Sequence, residues 1–277
     1  MTQWTLSGFG DEIDPDPVVQ LAVLAALGAR HLELRSAWEV NVVDLDAGQL
    51  DRIAALLAER GMAVSAIASP IGKVDITDDP AGERVRLKSA IAAAHRLECR
   101  YIRLFSFYRA PGISAEEIRD EVLRRMREWA TVAEREGVTL VHENEKEIYG
   151  DTPDRVRDLV ESVGSPALRV AWDNANFVQV GVRPFTDGYA MLRPHLEYLQ
   201  VKDAVAATGA VVPAGHGDGE LRETLTALRD DGYTGFASLE PHLALQSATG
   251  GFSGPAEFGR AARAFAALTE SIGVETR

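Results

Sequence analysis

Eight short apolar or β-branched runs recur along the chain at spacings of roughly 26–39 residues, the size of a strand–helix unit. This rhythm constrains the fold more than any other feature. The predicted strands are Trp4–Phe9, Arg30–Arg35, Ala63–Ala68, Arg100–Phe105, Thr139–His142, Leu168–Trp172, Tyr198–Val201 and Gly235–Leu239. Between them, apolar residues at three- and four-residue intervals predict helices over Pro17–Leu27, Ala47–Arg60, Gly82–Leu97, Ser114–Glu136, Pro153–Val163, Leu221–Asp230 and Pro255–Ile272. Pro17 and Pro153 fall in first turns, and Gly61 and Gly137 stand just past helix ends, where each residue type belongs. The crossover around Phe185–Leu192 is short and carries the weakest helical pattern. Eight such units in 277 residues predict one α/β domain over residues 1–277, a single (β/α)8 TIM barrel. A doubly wound sheet would need fewer strands and a glycine-rich nucleotide turn. Ser7-Gly8-Phe9-Gly10-Asp11-Glu12 lacks the G-x-G-x-x-G spacing such a turn requires.

Charge and composition narrow the partners. Lys+Arg 29 against Asp+Glu 42 gives a net charge of −13, which disfavours a nucleic-acid backbone as the main partner. No apolar run approaches the roughly 20 residues a membrane span needs, and the N-terminus lacks the pattern of an export signal, so a cytoplasmic location is expected. Cys99 is the sole cysteine, which excludes an internal disulfide and a multi-thiolate zinc site. Self-association into a homo-oligomer is left open.

A barrel keeps its chemistry at the C-terminal ends of its strands. Here those ends read Glu33-Leu34-Arg35, His142-Glu143-Asn144-Glu145, Asp173-Asn174, Gln200-Val201-Lys202-Asp203 and Glu240-Pro241-His242. Inward-facing ionisable groups at five strand ends need counter-charges or a solvated cleft. A lone strand-end carboxylate is more often a helix cap, but Glu143, Asp173 and Glu240 converging on one axis would repel each other. A divalent cation is the simplest way to hold them together. Alternation leaves Glu143 and Glu145 on one face without choosing between them, and places Gln200 and Lys202 on a shared face. Gln200 then offers either an amide oxygen to a hard cation or a hydrogen bond to a substrate hydroxyl.

These motifs, with Trp172-Asp173-Asn174-Ala175-Asn176, Gly215-His216-Gly217-Asp218-Gly219 and Gly232-Tyr233-Thr234-Gly235, resemble the sugar phosphate isomerase/epimerase superfamily with the xylose-isomerase-like barrel. That group includes ketose 3-epimerases, hydroxypyruvate isomerases, inosose dehydratases and endonuclease IV. The resemblance implies a divalent ion held by Glu143, Asp173, a histidine two residues before Lys202, and Glu240. This chain carries Gln200 at the third position, a departure that tilts the site toward oxygen-loving Mg2+ or Mn2+ or weakens it.

The resemblance further implies a small sugar or sugar-like hydroxy-ketone as substrate. Glu143 and Glu240 would pass a proton through an enediolate, and Lys202 would balance negative charge. Glu33 and Arg35 would anchor hydroxyls or a carboxylate, Lys73 an anion, and His216 would tune substrate preference. Arg103 and Arg109 are alternative phosphate binders, and Trp38, Phe107 and Tyr108 a candidate apolar wall. A keto-inositol-like dehydratase on the same scaffold is the nearest alternative, and a non-catalytic sugar-binding barrel the one from a different class. An endonuclease IV type of nuclease is disfavoured, because it needs a histidine-rich multi-zinc cluster and a basic groove.

Overall fold

Strands β1 (Thr2–Gly8), β2 (His31–Leu34), β3 (Ala63–Ala68), β4 (Tyr101–Leu104), β5 (Thr139–Glu143), β6 (Leu168–Asp173), β7 (Leu196–Val201) and β8 (Phe236–Leu239) lie parallel in one sheet. Their order runs β1-β8-β7-β6-β5-β4-β3-β2, and a parallel bridge between Phe9 and Glu33 sets β1 beside β2 and closes the ring. The structure is a computed structural model that describes residues 2–244, 246–247 and 250–277. The expected (β/α)8 barrel is therefore present.

Helices α1 (Pro17–Ala26), α2 (Ala47–Arg60), α3 (Pro80–Arg96), α4 (Ala115–Glu136), α5 (Pro153–Val163), α6 (Asn174–Gln179), α7 (Leu221–Asp230) and α8 (Gly254–Ser271) connect or follow the strands. Local chemistry sets their ends. Asp46 with Gln49, and Ser114 with Glu117, form reciprocal capping boxes at the starts of α2 and α4. Gly61 and Gly137 close the same helices in the left-handed conformation.

Several features depart from the sequence reading, the short helix α6 among them. The weak crossover winds as a π-helix over Pro184–Tyr189, one α turn over Ala190–Leu192 and a 3-10 turn over Arg193–His195. Pro194 lacks an N–H and falls inside the run, so no single helical ladder continues through Arg193–His195, whereas Pro184 stands in the first turn, where a proline is tolerated. A ninth strand, β9 (Val274–Thr276), pairs in parallel with Thr2–Trp4. The loop that follows β8, residues 242–254, lies partly outside the described residues.

Alternation along the strands divides the core in two. Leu140, Val170, Trp172, Leu199 and Ile67 belong to the large cluster that packs against the helices. Their neighbours Val141, Ala171, Tyr198 and Ala66 form a separate cluster on the opposite face, inside the barrel. Two alanines there leave room for the Tyr198 ring. No helix among the described residues is long and apolar enough to cross a membrane.

Candidate active site

The same alternation builds the site. If Val141, Ala171, Tyr198 and Gln200 face the barrel interior, then Glu143, Asp173 and Lys202 face it one pleat nearer the C-terminal mouth. Ligand oxygens of Glu143, Asp173 and Glu240 lie within 4.8 Å of one another, and all three residues are buried. Lys202 Nζ is 2.8 Å from Asp173 Oδ2 and 2.9 Å from Glu240 Oε2. The cleft above has a cavity volume of about 70 Å3, and Arg35, Lys73, Arg103, Glu145 and His242 contribute to its walls.

Each carboxylate has its own support. Asp173 Oδ1 caps α6 by accepting from the Asn176 backbone N–H at 2.9 Å, so this residue is both a helix cap and a member of the cluster. The Asn176 amide Nδ2 donates to Glu143 Oε1 at 3.0 Å and to the Asn144 carbonyl at 2.8 Å. The Asn144 side chain in turn exchanges two hydrogen bonds with the Asp173 backbone, tying the ends of β5 and β6 together. Glu240 Oε1 meets Arg35 at 3.5 Å and His242 Nε2 at 3.4 Å.

Burial and charge separate the protonation states. Burial, and then repulsion from Glu240, raises the Glu143 carboxyl. Burial also raises Asp173, against the pull of Lys202. Burial acts to raise Glu240 as well, but Lys202 and His242 outweigh it and hold this group well below the usual carboxylate range. Lys202 keeps its proton because Asp173 and Glu240 more than offset its own desolvation.

A second constellation flanks Glu240. Glu12, fully buried after β1, accepts from the His242 backbone N–H at 2.8 Å and from Ser253 Oγ at 2.8 Å. Its other oxygen lies 3.1 Å from His242 Nε2. His242 adopts a left-handed backbone (φ 46°), and a Cβ on Gly251 would lie 1.7 Å from its ring. Asp11 holds Arg35 at 2.8 Å and accepts from Ser36 Oγ at 2.7 Å. Asp11 and Glu12 were missed from sequence, although they stand at the end of the first strand as the other site residues stand at the ends of theirs. The supporting role of Asn176 was missed too.

The remaining candidates sit in different places. Arg35 and Lys73 reach the cleft, with Lys73 Nζ 3.0 Å from Glu145 Oε2. Glu33 lies deeper, accepting from Tyr198 at 2.8 Å and from Gln200 Nε2 at 2.9 Å, and burial pushes its carboxyl up to about 7. Gln200 thus commits its N–H to Glu33, while its Oε1 is buried with no hydrogen-bond donor among the described residues. His216 is exposed on the loop after β7 and is not among the cleft-lining residues. Asp203 shapes that loop by accepting backbone N–H groups from Ala204, Gly215, Gly217 and Gly219. Phe107 packs on Trp129 rather than on the cleft, and Arg109 pairs with Asp151 at 3.6 Å. Cys99 is buried, which pushes its thiol up to about 12 and leaves it unreactive.

The donor set fits a hard divalent cation. It consists of three carboxylates with one ammonium in direct contact, and Glu143 Oε2 accepts no hydrogen bond among the described residues. The Gln200 amide oxygen is compatible with the same class of ion.

Comparison with known proteins agrees with this architecture. A relative from an Actinoplanes species, 2-epi-5-epi-valiolone 7-phosphate 2-epimerase, is 28% identical over 231 residues, covering 83% of this chain and 81% of its own. The crystal structure of a D-tagatose 3-epimerase-like protein superposes with a TM-score of 0.79 at 15% identity, over 97% of this chain and 98% of that one. A xylose isomerase-like TIM barrel protein from Mycobacterium smegmatis, crystallised in complex with magnesium, gives a TM-score of 0.68 at 20% identity, over 99% and 98%. The sequence model of one family matches residues 21–266, most of the barrel. The chain belongs to the xylose isomerase-like TIM barrel family.

Proposed function

We propose that this chain is a divalent-metal-dependent epimerase or isomerase of a small sugar-like hydroxy-ketone. The observation that carries the reading is the meeting of Glu143, Asp173 and Glu240 within 4.8 Å at the barrel mouth. The Actinoplanes relative, whose name describes 2-epimerisation of 2-epi-5-epi-valiolone 7-phosphate, supports the reaction class.

Glu143, Asp173 and Glu240 would hold Mg2+ or Mn2+, with Gln200 Oε1 as a neutral fourth donor. When bound, the ion supplies Lewis acidity, polarising a substrate carbonyl and acidifying the carbon beside it. Glu143 and Glu240, from strands three places apart in the ring, serve as the proton-transfer pair, one taking the carbon proton and the other returning one. Lys202 faces both Asp173 and Glu240 and offsets the negative charge that develops on substrate oxygen. Asn176 holds Glu143 by one oxygen, and the other, which accepts no hydrogen bond among the described residues, serves the reaction.

The test is incubation of the chain with Mn2+ and a panel of ketoses and cyclic polyol ketones in D2O, followed by NMR. Solvent deuterium should enter at the carbon beside the carbonyl without loss of water. Both Glu143→Gln and Glu240→Gln should abolish the exchange while remaining folded. An unsaturated product would establish the dehydratase instead, and exchange that survives both substitutions would overturn the reading.

A further inference from the structure

We propose that Arg103 anchors an oxyanion carried by the substrate, a phosphate or a carboxylate, at the β3–β4 side of the cleft. The inference rests on the reading of this cleft as a substrate site and adds the charge of the substrate to it.

Arg103 is 4% exposed and lines the cleft, yet its guanidinium is nearly unemployed. Nε has no hydrogen-bond partner among the described residues, Nη2 reaches the Ala68 carbonyl only at 3.4 Å, and Nη1 stands 3.4 Å from Glu143 Oε2. A guanidinium carries five N–H donors, and buried donors are costly to leave without acceptors. Arg35 shows the contrast within the same cleft. Its Nε donates to Asp11 at 2.8 Å and its Nη2 to the Gly251 carbonyl at 2.8 Å.

The position of Arg103 is nevertheless set firmly. Its guanidinium lies over the Phe105 ring at 4.6 Å and over Phe9 at 5.4 Å, and its carbonyl accepts from Ser69 Oγ at 2.5 Å. Glu143 balances the charge of Arg103 across 3.4 Å but takes none of its N–H donors, since one carboxylate oxygen is held by Asn176 and the other accepts no hydrogen bond among the described residues. A second cation converges on the same place, with Lys73 Nζ over the Phe105 ring at 4.2 Å. Lys73 is itself committed to Glu145 at 3.0 Å, so it adds positive potential to this wall while the spare donors belong to Arg103. A planar fork with spare donors matches the paired oxygens of a carboxylate or phosphate.

The experiment is calorimetric titration of the full chain with fructose 6-phosphate, a hexuronate and neutral fructose, in wild type, Arg103→Met and Arg103→Lys. In wild type, at least one anionic probe should bind about 10- to 100-fold more tightly than fructose, the value of one charge-assisted pair. Arg103→Met should erase that advantage without weakening fructose, and Arg103→Lys should restore part of it. The probe that gains identifies phosphate or carboxylate. Equal binding of charged and neutral probes, no binding of either anion at millimolar concentration, or an advantage that survives in Arg103→Met would overturn the proposal. Should Arg103→Met not fold, the wild-type comparison and Arg103→Lys still decide. Deuterium exchange without anion preference would remove the anchor alone. Anion preference without exchange would remove the proposed reaction alone.

Discussion

Replacing Lys202 by Met keeps most of the side-chain volume and removes the one ammonium in contact with two buried carboxylates. Its Nζ lies 2.8 Å from Asp173 and 2.9 Å from Glu240, and all three residues are essentially buried. At an effective dielectric near 20, each contact is worth about 6 kcal/mol before desolvation is subtracted. Loss of one partner of a buried pair nets about 3–5 kcal/mol of destabilisation, because the remaining charges stay uncompensated. With an unfolding entropy of about 2.1 cal/mol/K per residue, a chain of this length should lose about 5–9 °C in Tm. The assay is thermal unfolding by circular dichroism at pH 7.5, in EDTA and in saturating Mn2+. Lys202→Met should fall by that amount in EDTA and recover most of it in Mn2+, since a divalent ion among the same oxygens replaces the lost charge. A variant as stable as wild type in EDTA would refute the counter-charge argument. A large loss that Mn2+ leaves untouched would refute the cation site.

Three further outcomes follow from the geometry. Asn176→Ala leaves Glu143 Oε1 and the Asn144 carbonyl without their shared donor, so Mn2+ affinity by electron paramagnetic resonance should drop about 10- to 100-fold, and unchanged affinity would count against this support. Gly72 and Gly28 both have positive φ, but a Cβ on Gly72 would lie 2.2 Å from the Phe105 carbonyl oxygen whereas Gly28 faces open space. Gly28→Ala should therefore cost about 1–2 kcal/mol in urea unfolding and Gly72→Ala more than about 4 kcal/mol, with equal costs contradicting the clash. Arg119 first, then Tyr149 and Ser162, hold the Asp158 carboxyl down at about 2. A depressed carboxylate stabilises above its unfolded pKa of about 3.9 and loses that contribution as pH falls toward 2. Asp158→Asn should thus lower stability at neutral pH and flatten the acid limb between about pH 4 and 2, and an unaltered limb would be contrary evidence.

The barrel was readable because its periodicity is local. The eight barrel strands and the long helices announce themselves within ten to twenty residues, and glycine and proline mark many of the ends. The carboxylate cluster was readable for a related reason, since residues ending inward-facing strands of a closed ring have one place to go. What stayed hidden depends on contacts distant in sequence. β9 is three residues long, too short for a pattern, and forms only because Thr2–Trp4 offers an edge. The role of Glu12 needs His242 and Ser253, both more than 200 residues away. Alternation told that Gln200 and Lys202 share a face, but the pairing of Gln200 with Glu33 depends on how far each side chain reaches across the barrel. His216 was singled out from a motif whose glycines serve another purpose. A Cβ on Gly217 would sit 2.5 Å from the Ala204 carbonyl oxygen, so the motif wraps the chain around Asp203 and leaves the histidine outside.

The central claim is that Glu143, Asp173 and Glu240 jointly bind one divalent ion, and anomalous diffraction from crystals soaked in Mn2+ addresses it directly. The account predicts a single strong manganese peak per chain, coordinated by oxygens of all three residues, with the Lys202 ammonium moved off at least one of them. A map with no manganese at the barrel mouth under saturating Mn2+, or with the ion bound away from these carboxylates, would contradict it.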